Sequence, residues 1–198
     1  MAESGEWAAL FSTAFARSRN PMVLLDSARR LVDANGAYLK LLGYRRSDVI
    51  DRPIYQFIPG GPLLSPAEWK TQLAKGEFTG EGELAAADGS HVAVQYAATT
   101  EVVTGRRLVL FVAMSTSRWG PRFRRTMSPE QESAPLSARE REIVRLVALG
   151  STGPEIAEEL RIAHDTVRTH ARNAMSKVGA RSRAHLVAKA LGEGLVLN

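Results

Sequence analysis

An α+β domain with a five-stranded antiparallel sheet, followed by an all-α domain of four helices, is the fold class the sequence predicts. Between residues 77 and 115 three strand-like runs follow one another closely, the middle one alternating through Val92, Val94, Tyr96 and Ala98. Beyond residue 136 the apolar positions recur instead at spacings of three and four, with capping residues and glycines between runs. A stretch rich in Pro, Ser and Arg without a period, SRWGPRFRRTMSPEQESAP, separates the two patterns and reads as a linker over 117–135.

Residues 1–20 open the chain with an amphipathic helix over Glu3 to Arg17. Trp7, Leu10, Phe11, Ala14 and Phe15 form one apolar stripe, and Asn20-Pro21 stops it. The stripe has two destinations, its own domain or a second subunit. MVLLD and RLVDA then flank the turn Asp26-Ser27-Ala28-Arg29 as a β-hairpin. Asn35 to Leu42 is a short helix with Ala37, Tyr38, Leu41 and Leu42 inward, closed by Gly43. Ser47 to Ile50 is a further helical piece with Ser47 as its cap. Prolines and glycines between Pro59 and Pro66 predict a loop, and Ala67 to Lys75 a helix. The strands Glu77–Ala86, His91–Glu101 and Arg107–Ser115 complete the domain, the first two joined at Asp88-Gly89. With one sheet face covered by helices, the order predicts an α+β unit over 21–116.

The helical domain, 136–198, begins with Ser137 and Glu140 at capping-box spacing. Its first helix runs to Leu149, buries Ile143, Val144, Leu146 and Val147, and ends at Gly150. Pro154 suits the first turn of a second helix ending at Leu160. A third spans Asp165 to Val178. At about 100° per residue, Val167, Ala171, Ala174 and Val178 share one face. Asp165, Arg168, Thr169, Arg172, Asn173 and Ser176 share the other, with His170 at its edge. A helix-turn-helix unit presents such a row to a DNA groove. Arginine there can fork onto guanine O6 and N7 or neutralise phosphate, and the threonine methyl can meet thymine. The competing reading is a solvated amphipathic helix with no partner. A fourth helix, Arg181 to Leu191, carries Leu186, Val187, Ala190 and Leu191; its spare apolar face suggests a subunit contact.

Composition narrows the chemistry. There is no cysteine, which excludes disulfides, thiolate metal sites and cysteine–flavin adducts. His91, His164, His170 and His185 have no HExxH spacing, so no metal site is expected. Residues 1–116 carry 12 basic and 12 acidic side chains, residues 117–136 carry 4 and 2, and residues 137–198 carry 10 and 7. A neutral front and a basic back suit a sensor joined to a nucleic-acid binder. No apolar run approaches 18 residues and MAESGEWAAL lacks signal-peptide features, so a cytoplasmic protein without a membrane span is expected. No serine–histidine–acid set, paired carboxylates or phosphate loop points to an enzyme; GSTGPE lacks the Walker lysine.

The segment RLVDANGAYLKLLGYRRSDVIDRP and the later DGSHVAVQYAATTEVVTGRRLVLFVAMST resemble the PAS domain over Met22 to Thr116. The family's terminal Asp-Ile-Thr trio is replaced by Met114, Ser115 and Thr116. The segment from Leu136 to Ala190 resembles the LuxR-type DNA-binding domain through all four helices, at residues including Arg139, Glu140, Gly150, Glu155, Ile156, Thr166, Val167, His170, Val178, Arg181 and Arg183. Ala163 replaces a common serine before the third helix, and Gly153-Pro154 replaces Asn-Lys at the start of the second. The resemblance implies that the third helix reads the major groove and the fourth pairs subunits. It implies base or phosphate contacts at Arg168, Thr169 and Arg172, and a backbone approach at His170. The expected partners are double-stranded DNA with an inverted repeat, a second copy of the chain, and RNA polymerase.

A PAS core implies haem, flavin or a small organic ligand. No histidine lies on Ala67–Lys75, where haem-binding relatives place one. No cofactor is therefore expected, and a non-covalent ligand stays open, with Tyr38, Trp69, Tyr96 and Phe111 as lining residues. The same four side chains also serve as plain core. A PAS part that senses nothing and acts as a protein-interaction module is the alternative. In the linker, Trp119 and Phe123 either pack back on a domain or clamp the two together, and Arg118, Arg122, Arg124 and Arg125 either touch phosphates or are solvated.

Overall fold

Helix α1 (Glu3–Arg17) leads into the hairpin β1 (Met22–Leu25) and β2 (Leu31–Ala34). Then follow α2 (Gly36–Leu42), α3 (Arg46–Val49), a 3-10 turn (Ile54–Phe57) and α4 (Pro66–Lys75). Strands β3 (Glu77–Ala85), β4 (His91–Val103) and β5 (Arg106–Ser115) close an antiparallel sheet in the order β2-β1-β5-β4-β3. The computed structural model describes residues 3–103, 106–115 and 135–192, with the side chains of 1–7, Leu10 and 101–106 left aside. The expectations for Trp7, Leu10, Thr116, Trp119, Phe123 and the four linker arginines lie outside the described residues.

Local chemistry explains the turns. Asn35 caps α2: its Oδ1 accepts from the Tyr38 N–H at 2.9 Å and from the Met22 N–H at 3.0 Å. Its amide donates to the carbonyls of Phe15, Ser18 and Asn20 at 3.1, 3.3 and 2.8 Å. One buried side chain therefore fixes the path from α1 into β1. Gly43 follows α2 at φ 73, a left-handed position that costs a side-chain residue more. The cap expected at Ser47 is elsewhere. Ser47 lies inside α3, and the Asp48 carboxylate accepts from the Arg45 N–H at 3.2 Å.

One face of the sheet buries Val23, Leu25, Val94, Ala98, Val109 and Ala113 beneath α2 to α4, which add Tyr38, Leu42, Val49, Phe57 and Trp69. The other face carries Met22, Leu24, Ala97, Leu108, Leu110, Val112 and Met114. Contrary to the expectation of a sheet covered on one side, this face is buried too. Phe11, Ala14 and Phe15 of α1 lie on it, and so does the helical domain. The unbroken run Leu108 to Met114 has this cause: a strand buried on both faces has no polar side.

The helical domain comprises α5 (Ala138–Leu149), α6 (Gly153–Leu160), α7 (His164–Lys177) and α8 (Arg183–Gly192). Helix α8 buries Ala184, His185, Leu186, Val187, Ala188, Ala190 and Leu191, which wrap around it. It packs on α5 and against β4 and β5. The apolar face expected to be spare for a second subunit is thus covered within the chain. Residues 18–20 complete the junction at the other end. Ser18 Oγ donates to the Ala148 carbonyl at 2.6 Å, the Arg19 N–H to Leu149 at 2.9 Å, and Asn20 Nδ2 to Val147 and Ala148 at 2.8 and 2.9 Å. These are last-turn carbonyls of α5, which a helix cannot satisfy internally. Gly150 makes the approach feasible, since a Cβ there would meet Arg19 at 2.6 Å.

Candidate nucleic-acid interface

Helix α7 is presented by a bracketed turn. Helix α6 starts at a capping box: Thr152 Oγ1 accepts from the Glu155 N–H at 3.4 Å, and the Glu155 carboxylate accepts from the Thr152 N–H at 2.6 Å. Glu155 also takes two bonds from the Arg19 guanidinium, at 3.1 and 3.2 Å. The Thr152 bonds first, and Arg19 after them, hold its carboxyl down at about 2. At the other end of α6, Arg161 takes a left-handed φ of 52. Arg139 of α5 spans the corner, donating to the Leu160 carbonyl at 3.0 Å and to Glu142 at 2.7 Å.

Helix α7 begins one residue earlier than the sequence predicts, and Ala163 provides no side-chain cap. Val167, Ala174 and Met175 are buried. Asp165, Arg168, Thr169, Arg172 and Asn173 are exposed; His170 and Ser176 are half-buried at the flanks. Arg168 lies 3.3 Å from Asp165, both side chains open to solvent. Thr169 donates its hydroxyl proton to the Asp165 carbonyl at 2.9 Å. At the far end Lys177 reaches the nearly buried Glu140 at 2.8 Å. Burial pushes Glu140 upward, but hydrogen bonds from Lys177 and Ser137 outweigh it and hold the carboxyl below its usual range. The arrangement leaves a polar row with two arginines exposed, while the underside packs on α5 and α6.

The α+β domain holds a cavity of about 50 Å³ beneath the inner sheet face. Trp69, Tyr96 and Phe111 line it, together with Phe78 and Leu63. Tyr38 does not line it: it sits deeper in the same cluster, 0 % exposed, and its hydroxyl has no hydrogen-bond partner among the described residues. Burial, then the neighbouring Tyr44, push that phenol's pKa upward. The rings form a chain. Trp69 meets Phe78 edge to face at 5.7 Å, Phe78 meets Tyr96 at 6.5 Å, and Tyr96 stacks on Phe111 at 4.9 Å. Trp69 is pinned by its Nε1, which donates to the Ser27 carbonyl at 2.9 Å. Among the described residues no group of three His, Asp or Glu side chains is placed to hold a metal. Nor is any described helix long and apolar enough to cross a membrane.

Sequence reasoning missed the residues that join the two domains: Ser18, Arg19, Asn20, Glu77, His185 and Lys189. His185 is 1 % exposed; its Nδ1 accepts from the Arg181 N–H at 3.2 Å and its Nε2 lies 3.0 Å from Glu77 Oε2. The ring is therefore the tautomer with its proton on Nε2, donating to Glu77. Lys189 Nζ lies 3.5 Å from the same carboxylate oxygen.

A family model described as the PAS fold matches residues 6–115, more than half of the chain. A second, described as bacterial regulatory proteins, luxR family, matches residues 134–190. The spore germination protein GerE of Bacillus subtilis is 44% identical over 66 residues, which cover 33% of this chain and 89% of that protein. The chain belongs to the luxR family and carries a PAS domain. The probable transcriptional regulatory protein NarL of Mycobacterium tuberculosis is 43% identical over 70 residues, 33% of this chain and 32% of NarL. The chain spans about a third of the length of NarL and of the transcriptional regulatory protein MctR. Among solved structures, a Vibrio cholera VqmA–ligand–DNA complex aligns with 94% of this chain and 89% of its own, at 21% identity and a TM-score of 0.41. The PAS match begins at residue 6, within α1.

Proposed function

We propose that the protein is a sequence-specific, DNA-binding transcription regulator of the cytoplasm that works as a dimer. Two α7 helices enter major grooves about one helical turn apart, roughly 34 Å, on an inverted repeat. The observation that carries this is the exposed row Arg168, Thr169 and Arg172, seated on buried Val167 and Ala174. The ion pair of Arg168 with Asp165 is no obstacle, because exposed pairs of this kind are worth little and guanine or phosphate can displace the carboxylate. Asn173, Ser176 and His170 extend the contact to the groove walls. The name of NarL, a probable transcriptional regulatory protein, supports the same reading.

Gel-shift titration tests it, with circular dichroism to confirm folding. Arg168→Ala and Arg172→Ala each weaken operator binding by about 1–3 kcal/mol. Unchanged affinity in both variants overturns the reading.

In the PAS domain the cavity is the site for a small apolar molecule held without a covalent bond. A second reading, a ligand-free module that pairs chains or touches RNA polymerase, has one observation in its favour: the cavity is only about 50 Å³. An absorption spectrum and a native mass of the purified protein separate the two.

A further inference from the structure

We propose that occupancy of the PAS cavity controls how firmly the LuxR-type domain is held, through the corner where α4 meets β3. The inference rests on the ligand-binding reading of the cavity. Trp69 stands on α4 and Phe78 on β3, and their rings meet edge to face. Between Lys75 at the end of α4 and Phe78, the chain turns through Gly76, at φ 79, and Glu77. Strand alternation sends Phe78 into the cavity and Glu77 to the opposite face. There Glu77 accepts from His185 and faces Lys189, both on α8.

A one-ring apolar molecule needs a cavity of roughly 150 Å³. The present cavity offers about 50 Å³, so an occupant that enters it fully displaces a wall. The walls differ in stiffness. Tyr96 and Phe111 stand on β4 and β5, each paired with strands on both sides, whereas β3 is an edge strand bonded only to β4. Edge elements open at lower cost than central ones. Displacement therefore falls on Phe78 and Trp69, and carries Glu77 away from α8. The second attachment, Ser18 to Asn20 on the end of α5, contributes nothing to the cavity wall and remains as a pivot. The ligand class is a small uncharged aromatic or alicyclic molecule, entering past the exposed Leu63 and Tyr55.

The test uses the full chain and toluene as the probe. Fluorine resonances of fluorotryptophan report Trp69, and hydrogen exchange followed by mass spectrometry reports α8. Toluene is expected to shift the Trp69 signal and to speed α8 exchange about tenfold, the loss of one charge-assisted hydrogen bond. Glu77→Gln, or Lys189→Gln should the first fail to fold, is expected to show fast α8 exchange already and little further response. A shifted Trp69 signal with unchanged α8 exchange overturns the coupling and leaves the ligand site standing. A Trp69 signal that toluene does not move overturns both.

Discussion

Asn20 donates its side-chain amide to the carbonyl of Val147 at 2.8 Å, across a sequence separation of 127 residues. A side chain at the entry to the PAS sheet thereby completes the last turn of the first LuxR-type helix. Ser18 and Arg19 act on the same turn, and Asn35 holds all three in place through the carbonyls of Ser18 and Asn20. The two domains share one apolar cluster, from Phe11 and Phe15 through Leu110 and Val112 to Leu186 and Ile143. They are expected to unfold together.

Asn20→Ala tests that junction. It removes one of two donors from each of two α5 carbonyls, Val147 keeping the Gly150 N–H and Ala148 the Ser18 hydroxyl, a cost of about 1 kcal/mol. The expected outcome in urea is a lower midpoint and a single transition that splits into two. An unchanged, single transition says the junction carries no weight.

Tyr38→Phe is expected to stabilise the protein by about 1 kcal/mol, because it removes a buried hydroxyl that has no partner among the described residues and leaves the ring in place. Thermal melts followed by circular dichroism measure it. A melting temperature lowered by the substitution would mean that the hydroxyl is satisfied in solution.

The α8 junction predicts a pH dependence of stability. Burial pushes the His185 imidazole pKa down, and the neighbouring Glu77, which acts upward, does not offset it. Glu77 is itself held below the carboxylate range: burial acts upward, and the His185 and Lys189 contacts outweigh it. Both folded values are depressed, so the unfolded chain binds more protons as pH falls and stability falls with it. The loss starts near the ordinary histidine value, about 6.5, and continues through the carboxylate range. A protonated ring would also set its Nδ1–H against the Arg181 N–H, which now donates to that nitrogen. The melting temperature is expected to be flat from pH 8 to 7 and to drop by pH 5, with a shallower drop in His185→Gln. An equal drop in both proteins removes His185 from the account.

Much of this structure is legible in the sequence, and the exceptions have physical causes. The span Glu3–Arg17, the cap at Ser137, and the stops at Gly43 and Gly150 depend on neighbours a few residues away, which local spacing records. Thr152 and Glu155 stand at the same capping-box spacing as Ser137 and Glu140, so that signal was present and unread. The double burial of β5 was written in the unbroken run from Leu108 to Met114, and the burial of α8 in apolar positions that circle the helix. The pairs Glu77–His185 and Arg19–Glu155 had no such signal. They join residues more than a hundred positions apart, through polar types that surfaces also carry. For the exposed face of α7, amphipathic periodicity suffices, because an exposed row needs only a buried opposite row to define it. Tyr38 was misplaced because an aromatic ring on a short helix faces the core equally well beside a cavity or away from it.

The most direct test of the central claim is selection of binding sequences from random duplex DNA with the purified full chain, repeated with the Arg168→Ala, Arg172→Ala double variant. The account predicts an enriched inverted repeat whose half-sites lie about one helical turn apart, and loss of that enrichment in the variant. Enrichment of the same motif by both proteins, or no motif from the wild-type chain, would contradict it.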